Sequence, residues 1–333
     1  GNLSDEPIAI DNGEAVARLA RVADSYLMHN RAIARHADDS VVRLSGGREL
    51  VLRRARGYAP LPVLVRRRLP RTLALGAHLK STVAIALGNQ VVVSQHVGDL
   101  DTLEAREAFE RAIDDLMRLY RFRPDLVACD LHPDYYSTQF AASVPWPVVR
   151  IQHHQAHIAA CAAENDIDDD YLGVAWDGGG YGSDGTVWGG EFFLAHERRF
   201  DRVAHLRPFR LTGGDAAARD CRRSAVALLR DTFAERLPVT VGLTEKELRV
   251  LCASVNTAVT TSAGRLFDAV AALTGCALRN GYEGQAAMAL EAAASAATTA
   301  ARYELPLEHG EIDWRPLVAG VVALTMAITA ARA

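Results

Sequence analysis

Between Arg71 and Leu194 the apolar residues switch repeatedly between the period of a strand and the period of a helix, and the order of the switches constrains the fold most. Leu73-Ala74-Leu75-Gly76 and Thr82–Leu87 read as strands, Gly88-Asn89 as a tight turn, and Gln90–Gln95 as a third strand. A helix follows over Leu103–Tyr120, then a buried strand at Leu126–Cys129 and a short helix near Tyr136–Ala142. Val148–Gln152 reads as a strand, about His154 to Ala163 as a helix, Tyr171–Trp176 as an apolar strand, and Thr186–Leu194 as a hairpin strand. Strands alternating with helices in this way define an α/β domain.

Three strands come before the first helix of this run. That opening meander separates the chain from an all-parallel nucleotide fold and suits a ribonuclease-H-like domain of the actin/hexokinase type. After residue 213 the pattern is helical, over about 215–232, 244–254, 264–275, 283–302 and 314–330. The alanine-rich run Ala286–Ala301 favours helix intrinsically. Upstream, residues 13–29 carry a helical pattern and Ser40–Leu44 and Glu49–Arg53 read as short strands. The proline- and arginine-rich passage from Arg53 to Pro62 is a linker candidate, with a domain boundary near residue 65.

Hydrophobic residues make up 49% of the 333 and charged residues 23%, the balance of a soluble globular protein. Thirty-seven basic against 41 acidic residues leave a net charge of −4, which offers no electrostatic footprint for nucleic acid. Cys129, Cys161, Cys221, Cys252 and Cys276 are odd in number, widely spaced and free of any CxxC pair, so they read as reduced, mostly buried thiols of a cytoplasmic protein. The first residues show no basic region and apolar core of a signal peptide. Leu317–Ala330 is almost wholly apolar but short for a bilayer span, and is expected to be a buried helix rather than a membrane anchor.

His153 and His157 lie four apart in Ile151-Gln152-His153-His154-Gln155-Ala156-His157. On a helix that spacing aims both imidazoles from one face, where they can clamp a divalent metal. His154 lies about 100° round the helix from His153 and is not expected to be a ligand. Asp177 ends the apolar strand and adds a hard ligand. It opens the run Gly178, Gly179, Gly180, Tyr181, Gly182, whose amides can approach a phosphate if the run is a glycine-rich turn. Taken singly, two histidines can also cap or hydrogen-bond, Asp before Gly-Gly is a common turn, and a glycine loop is a common hairpin. Lys80, in Gly76-Ala77-His78-Leu79-Lys80, is a second phosphate-facing candidate or else a solvated turn lysine. No GxxxxGK[ST] occurs. On spacing alone, Asp215 in Gly213-Gly214-Asp215 reads as a helix N-cap, and Glu283 in Asn280-Gly281-Tyr282-Glu283-Gly284-Gln285 as part of a turn.

Taken together, these segments resemble the hydrogenase-maturation carbamoyltransferase family, HypF. The strings that carry the resemblance are Gly1-Asn2-Leu3-Ser4-Asp5-Glu6-Pro7-Ile8, Asp38-Asp39-Ser40-Val41-Val42-Arg43, Arg53-Arg54-Ala55-Arg56-Gly57-Tyr58-Ala59-Pro60 and Gly76-Ala77-His78-Leu79-Lys80. They continue in Asp130-Leu131-His132-Pro133-Asp134-Tyr135, the histidine box, the Asp177 run, Gly213-Gly214-Asp215, Ser262-Ala263-Gly264-Arg265-Leu266-Phe267-Asp268 and Tyr282-Glu283-Gly284-Gln285. The resemblance implies that residues 1–62 are the tail of a YrdC-like α/β domain and its linker, and residues 70–333 a Kae1-like carbamoyltransferase domain, incomplete at its C-terminus.

The activity so implied is ATP-dependent transfer of the carbamoyl group of carbamoyl phosphate, through carbamoyl-adenylate, to the C-terminal cysteine thiol of the partner HypE. His153, His157 and Asp177 are then metal ligands, for iron or zinc before magnesium. Lys80, Gly178, Gly179, Gly180, Gly182, Asp215 and Glu283 fall to the ATP side of the site. Other segments of the family have no counterpart in these residues, so turnover by this chain alone is not expected. A small-molecule O-carbamoyltransferase, a relative of tRNA threonylcarbamoyl transferases, and a non-catalytic fragment that docks the partner are the competing readings.

Overall fold

The computed structural model describes residues 7–332 except Arg198, Asp215, Glu235, Val255 and Asn256. The chain divides into two compact units: residues up to His153 with 160–167, and residues 154–159 with 168 onward. The expected boundary near residue 65 falls inside a strand of the first unit.

The first unit runs α1 (Asn12–Leu19), β1 (Val41–Ser45), β2 (Arg48–Arg53), β3 (Pro62–Leu69), β4 (Thr72–Ala74), β5 (Ala84–Val93), α2 (Leu103–Leu119), β6 (Leu126–Asp130), α3 (Tyr136–Ser143), β7 (Val148–Ile151), and the start of α4 (His153–Glu164). The helix expected over 13–29 stops at Leu19. Beyond it Val22 is 61% exposed and Leu27 fully exposed, and the Tyr26 hydroxyl donates back to the carbonyl of Val16. β1 and β2 form a hairpin whose two turn residues, Gly46 and Gly47, both have positive φ, as a twisted two-residue turn requires.

The arginine-rich passage is not an open linker. Ala55 is buried, its N–H donates to the Ser40 hydroxyl, and the Arg54 guanidinium donates to the carbonyls of Tyr58 and Leu61. The chain then enters β3, the edge of a sheet ordered β3-β5-β4-β6-β7, with β4, β6 and β7 parallel and β3 and β5 antiparallel to their neighbours. At the two ends of β5 the N–H of Ser94 donates to the carbonyl of Val83 at 2.7 Å. Residues eleven apart cannot meet if the chain between them is straight, so the span reverses on itself. Gly88, at φ 64°, is the left-handed residue within it, at the expected turn. α2 covers the sheet, burying Ala105, Ala108, Phe109, Ala112, Ile113 and Leu116 at helical spacing, against Leu73, Ile85 and Val127.

The second unit continues with β8 (Tyr171–Tyr181), β9 (Val187–His196), β10 (Arg199–Leu206), β11 (Phe209–Thr212), α5 (Ala216–Arg219), α6 (Cys221–Phe233), α7 (Glu245–Ala253), β12 (Thr257–Thr260), α8 (Ala263–Thr274), α9 (Gln285–Ser295), β13 (Leu307–Glu308), β14 (Glu311–Ile312) and α10 (Arg315–Arg332). Its sheet is ordered β11-β12-β9-β10-β14-β13, with β8 paired antiparallel to β9. The region after residue 213 is thus not purely helical. β12 and β14 are too short to show a period, and they join the sheet through partners distant in sequence. α6, α8 and α10 pack over one core containing Phe209, Leu228, Leu229, Ala269, Ala272 and Trp314.

α10 is buried in its first half and exposed in its second. Val318, Val321 and Val322 are in the core, whereas Leu324, Met326 and Ile328 are exposed, so the expectation of a buried helix holds only for its first turns. No helix among the described residues is long and apolar enough to cross a membrane. All five cysteines are free, but only Cys129 and Cys221 are buried; Cys161 and Cys276 are exposed, which corrects the expectation of mostly buried thiols. Burial, and then the nearby Asp268 carboxylate, push the Cys221 thiol up to about 12, so it stays protonated.

Candidate metal centre

α4 opens directly after strand β7, and its first residue is His153. One turn on, His157 projects from the same side, as the spacing demands. Asp177 belongs to β8, which runs on through the glycines to Tyr181 instead of ending at Trp176. One nitrogen of each histidine and one carboxylate oxygen of Asp177 all lie within 4.8 Å of one another. Ligands about 2.1 Å from a shared tetrahedral ion lie roughly 3.5 Å apart. The observed limit is therefore within a side-chain rotation of a closed site. Two imidazoles and a carboxylate suit zinc or iron better than magnesium, which prefers an all-oxygen shell. The residues present fit a divalent transition metal.

Two of the three ligands, His153 and Asp177, are held by neighbouring groups. Asp130 ends β6, is buried, and places Oδ2 2.7 Å from Nδ1 of His153. A proton on Nδ1 donated to that carboxylate leaves the Nε2 lone pair for an ion, the carboxylate–histidine pairing common at metal sites. The other Asp130 oxygen accepts the N–H of His132 at 2.8 Å, so the carboxylate is fixed at both ends. We expect Asp130→Asn to weaken divalent-ion affinity by about 10- to 100-fold while the fold persists, measured by chelator competition. Unchanged affinity would remove Asp130 from the site.

In the second unit, Oδ1 of Asp177 accepts the N–H of Gly178 at 2.7 Å. The Ser262 hydroxyl, which caps α8 by accepting the N–H of Arg265, lies 2.7 Å from the carbonyl of Gly178 and 3.3 Å from that of Asp177. Backbones meet closely here: a Cβ on Gly264 would come within 2.8 Å of the Gly178 Cα. Gly264 is therefore needed for strand-to-helix contact, and Gly178 lies in strand β8, which corrects the expected open turn. Gly179 and Gly180 continue the strand. Gly182 starts the turn that follows, where a Cβ would strike the Trp188 indole at 2.4 Å. Glu191, fully buried on β9, ties this corner down by accepting from the Thr261 hydroxyl, from the Gly189 and Gly190 amides and from Arg202 at 2.6 Å.

His154 stays out of the ligand triad but does not point away from it. It is completely buried, and its Nε2 lies 3.6 Å from Oδ2 of Asp177, contact distance but too long for a hydrogen bond. Lys80 sits in an exposed turn of the first unit at φ 49°, its N–H donating to Asp99. Glu283 is exposed in the loop before α9. Asp215 lies outside the described residues. The structure thus brings together the metal candidates His153, His157 and Asp177.

Comparison with known proteins follows the same division. Residues 67–164 match the model of the HypF Kae1-like domain, and residues 173–332 match the carbamoyltransferase Kae1-like domain, second subdomain. The chain is 43% identical to a protein named carbamoyltransferase HypF from Synechocystis sp., covering 96% of this chain and 45% of that one. Against the carbamoyltransferase HypF of Rhizobium leguminosarum it is 40% identical over 95% and 42% of the two chains. A solved full-length HypF in its phosphate- and nucleotide-bound form superposes with a TM-score of 0.92 at 38% identity, over 98% of this chain and 44% of that one. The T. kodakarensis HypF structure gives 0.88 at 34% identity, over 97% and 45%. The chain spans less than half the length of these relatives.

Proposed function

The chain belongs to the HypF carbamoyltransferase family, and on that premise we propose that it is the part that transfers a carbamoyl group to a protein thiol. The donor is carbamoyl-adenylate, formed from ATP and carbamoyl phosphate, and the acceptor is the C-terminal cysteine of HypE, in the cytoplasm. The observation that carries this reading is the convergence of His153, His157 and Asp177 within a Kae1-like domain. These three residues hold the divalent ion, iron or zinc. Bound there, the ion supplies Lewis acidity toward a phosphoryl or carbonyl oxygen.

The protein's own contribution is placement. Asp130 sets the orientation and tautomer of His153. The amide of Gly178 and the contact with His154 hold the Asp177 carboxylate in one rotamer. The Ser262 cap keeps strand β8 against α8, so the carboxylate cannot drift from the histidines. A positional error of about 1 Å at such a site costs on the order of 100-fold in rate, which is the physical reason for so rigid a frame.

The test is complementation. The 333-residue chain is mixed with HypE, ATP, carbamoyl phosphate and a full-length relative substituted at the positions matching His153 and His157. That relative supplies the activated donor but cannot complete the transfer. HypE is expected to gain the mass of one carbamoyl group, and to gain none when this chain carries His157→Ala. No gain with the unsubstituted chain, under conditions where the intact relative carbamoylates HypE, overturns the assignment. The chain without a donor-supplying partner is expected to show no turnover.

A further inference from the structure

Within the first unit, the passage Asp130-Leu131-His132-Pro133-Asp134-Tyr135 joins the end of β6 to α3. Its last residue breaks a local rule. Tyr135 is the N-cap of α3, a position that favours Ser, Thr, Asp or Asn because a short polar side chain there accepts a free amide of the first turn. Tyr135 makes no such bond. An eight-residue helix depends on its caps and its packing, since so short a helix is marginal by itself. A residue that runs against local preference points to a contact elsewhere in the fold.

That contact is a stack of rings. The phenol ring of Tyr135 lies parallel to the imidazole of His132, with centroids 4.1 Å apart and planes 4° apart. It also stacks on His78, at 5.4 Å and 25°. His78 is fixed in turn: its Nε2 lies 2.9 Å from Oδ1 of Asp101, and its Nδ1 faces the N–H of Tyr136 at 3.5 Å. Tyr136 is anchored on α2, where its hydroxyl donates to Glu110 and the Arg106 guanidinium lies 4.8 Å from its ring centroid. The stack therefore stands on a rigid base.

His132 links this stack to the ligand. Its main-chain N–H donates to Oδ1 of Asp130 at 2.8 Å, and its ring Nδ1 accepts the N–H of Asp134 at 3.2 Å, so the ring and the turn move together. The carbonyl of Asp130 accepts from the buried Thr138 hydroxyl of α3, which ties the start of the turn to the helix after it. Oδ2 of Asp130 meets Nδ1 of His153 at 2.7 Å. A shift of the turn therefore turns the carboxylate, and with it the imidazole. We propose that Tyr135 is a positioning residue: by pinning His132 it holds the Asp130 carboxylate on Nδ1 of His153 and keeps Nε2 free to ligate. That an ion binds there rests on the functional reading above; the control of His153 by Tyr135 does not.

The experiment uses the full 333-residue chain in two arms. In the metal-free arm, NMR of the imidazole nitrogens reads the tautomer of His153, identified by the signal that His153→Asn removes. The Nδ1–H form is expected to dominate in the parent. Tyr135→Ala should mix the two tautomers, and Tyr135→Phe, which keeps the ring, should restore the parent signal. In the metal arm, chelator competition measures affinity with cobalt as the probe. Tyr135→Ala should raise the Kd about tenfold, and Tyr135→Phe should leave it at the parent value. Because Tyr135 acts through Asp130, Tyr135→Ala should add nothing to the loss already caused by Asp130→Asn. Tyr135→Leu fills the space without a ring to stack, and gives the same test if the alanine variant folds poorly. An unchanged tautomer in Tyr135→Leu, or losses that add in the double variant, overturns the proposal. A tautomer that depends on Tyr135 in a chain that binds no cobalt supports the positioning role and counts against the metal site and the function read from it.

Discussion

His157→Ala is expected to strip the chain of divalent metal, weakening affinity by well over about 100-fold, more than loss of a supporting carboxylate produces. His157 is exposed, so its truncation should shift stability by less than about 0.5 kcal/mol. Metal loss and unfolding are therefore separable: the thermal midpoint of the metal-free variant should match that of the metal-free parent. His154→Ala is the counterpart. That imidazole is fully buried beside Trp188, with ring centroids 6.2 Å apart, and its removal leaves a cavity under Asp177. It should destabilise the fold while retaining most of the affinity. Equal losses of metal in the two variants, measured by chelator competition and elemental analysis, would sink the assignment of His157 as ligand and His154 as support.

The metal ligands were legible because each rests on a local rule. Four residues on a helix fix the relation of His153 to His157, and a carboxylate following an apolar strand marks Asp177. Their supports follow no local rule. Asp130 reaches His153 across 23 residues of sequence, and Ser262 reaches Gly178 across 84. Only the pairing of β6 with β7 and the packing of α8 on β8 create those contacts.

The same limit explains the errors of secondary structure. α2, β6, α3 and β7 carry long or well-bounded patterns and appear where the periodicity puts them. The glycine run looked like a turn because glycine disfavours strand. It is strand because it pairs with β9 and packs under α8, which comes so close that a Cβ on Gly264 would lie 2.8 Å from the Gly178 Cα. β12 and β14 owe their state to distant partners and are invisible in a short window.

Trp314→Ala is expected to lower stability by about 3–5 kcal/mol. Trp314 is completely buried just before α10, with its ring edge-on to Phe209 at 5.7 Å. Its Nε1–H donates to the carbonyl of Arg207 at 2.7 Å, so the indole joins the helix layer to the sheet. A domain is stable by only about 5–15 kcal/mol, so this one residue carries a large share. For a unit of this size the thermal midpoint should fall by roughly 10 °C or more. Trp314→Phe should cost less. It keeps ring contact but leaves the Arg207 carbonyl without its donor, about 1–3 kcal/mol. The order parent, Phe, Ala in denaturant midpoint tests whether packing or the hydrogen bond dominates, and a loss under about 1 kcal/mol for Ala would refute the anchoring role. The ring partner of Trp314 is Phe209 and its hydrogen-bond acceptor is Arg207, neither of them a metal ligand. Metal affinity measured well below the lowered midpoint should therefore stay at the parent value, which separates a frame that is weakened from a site that is broken.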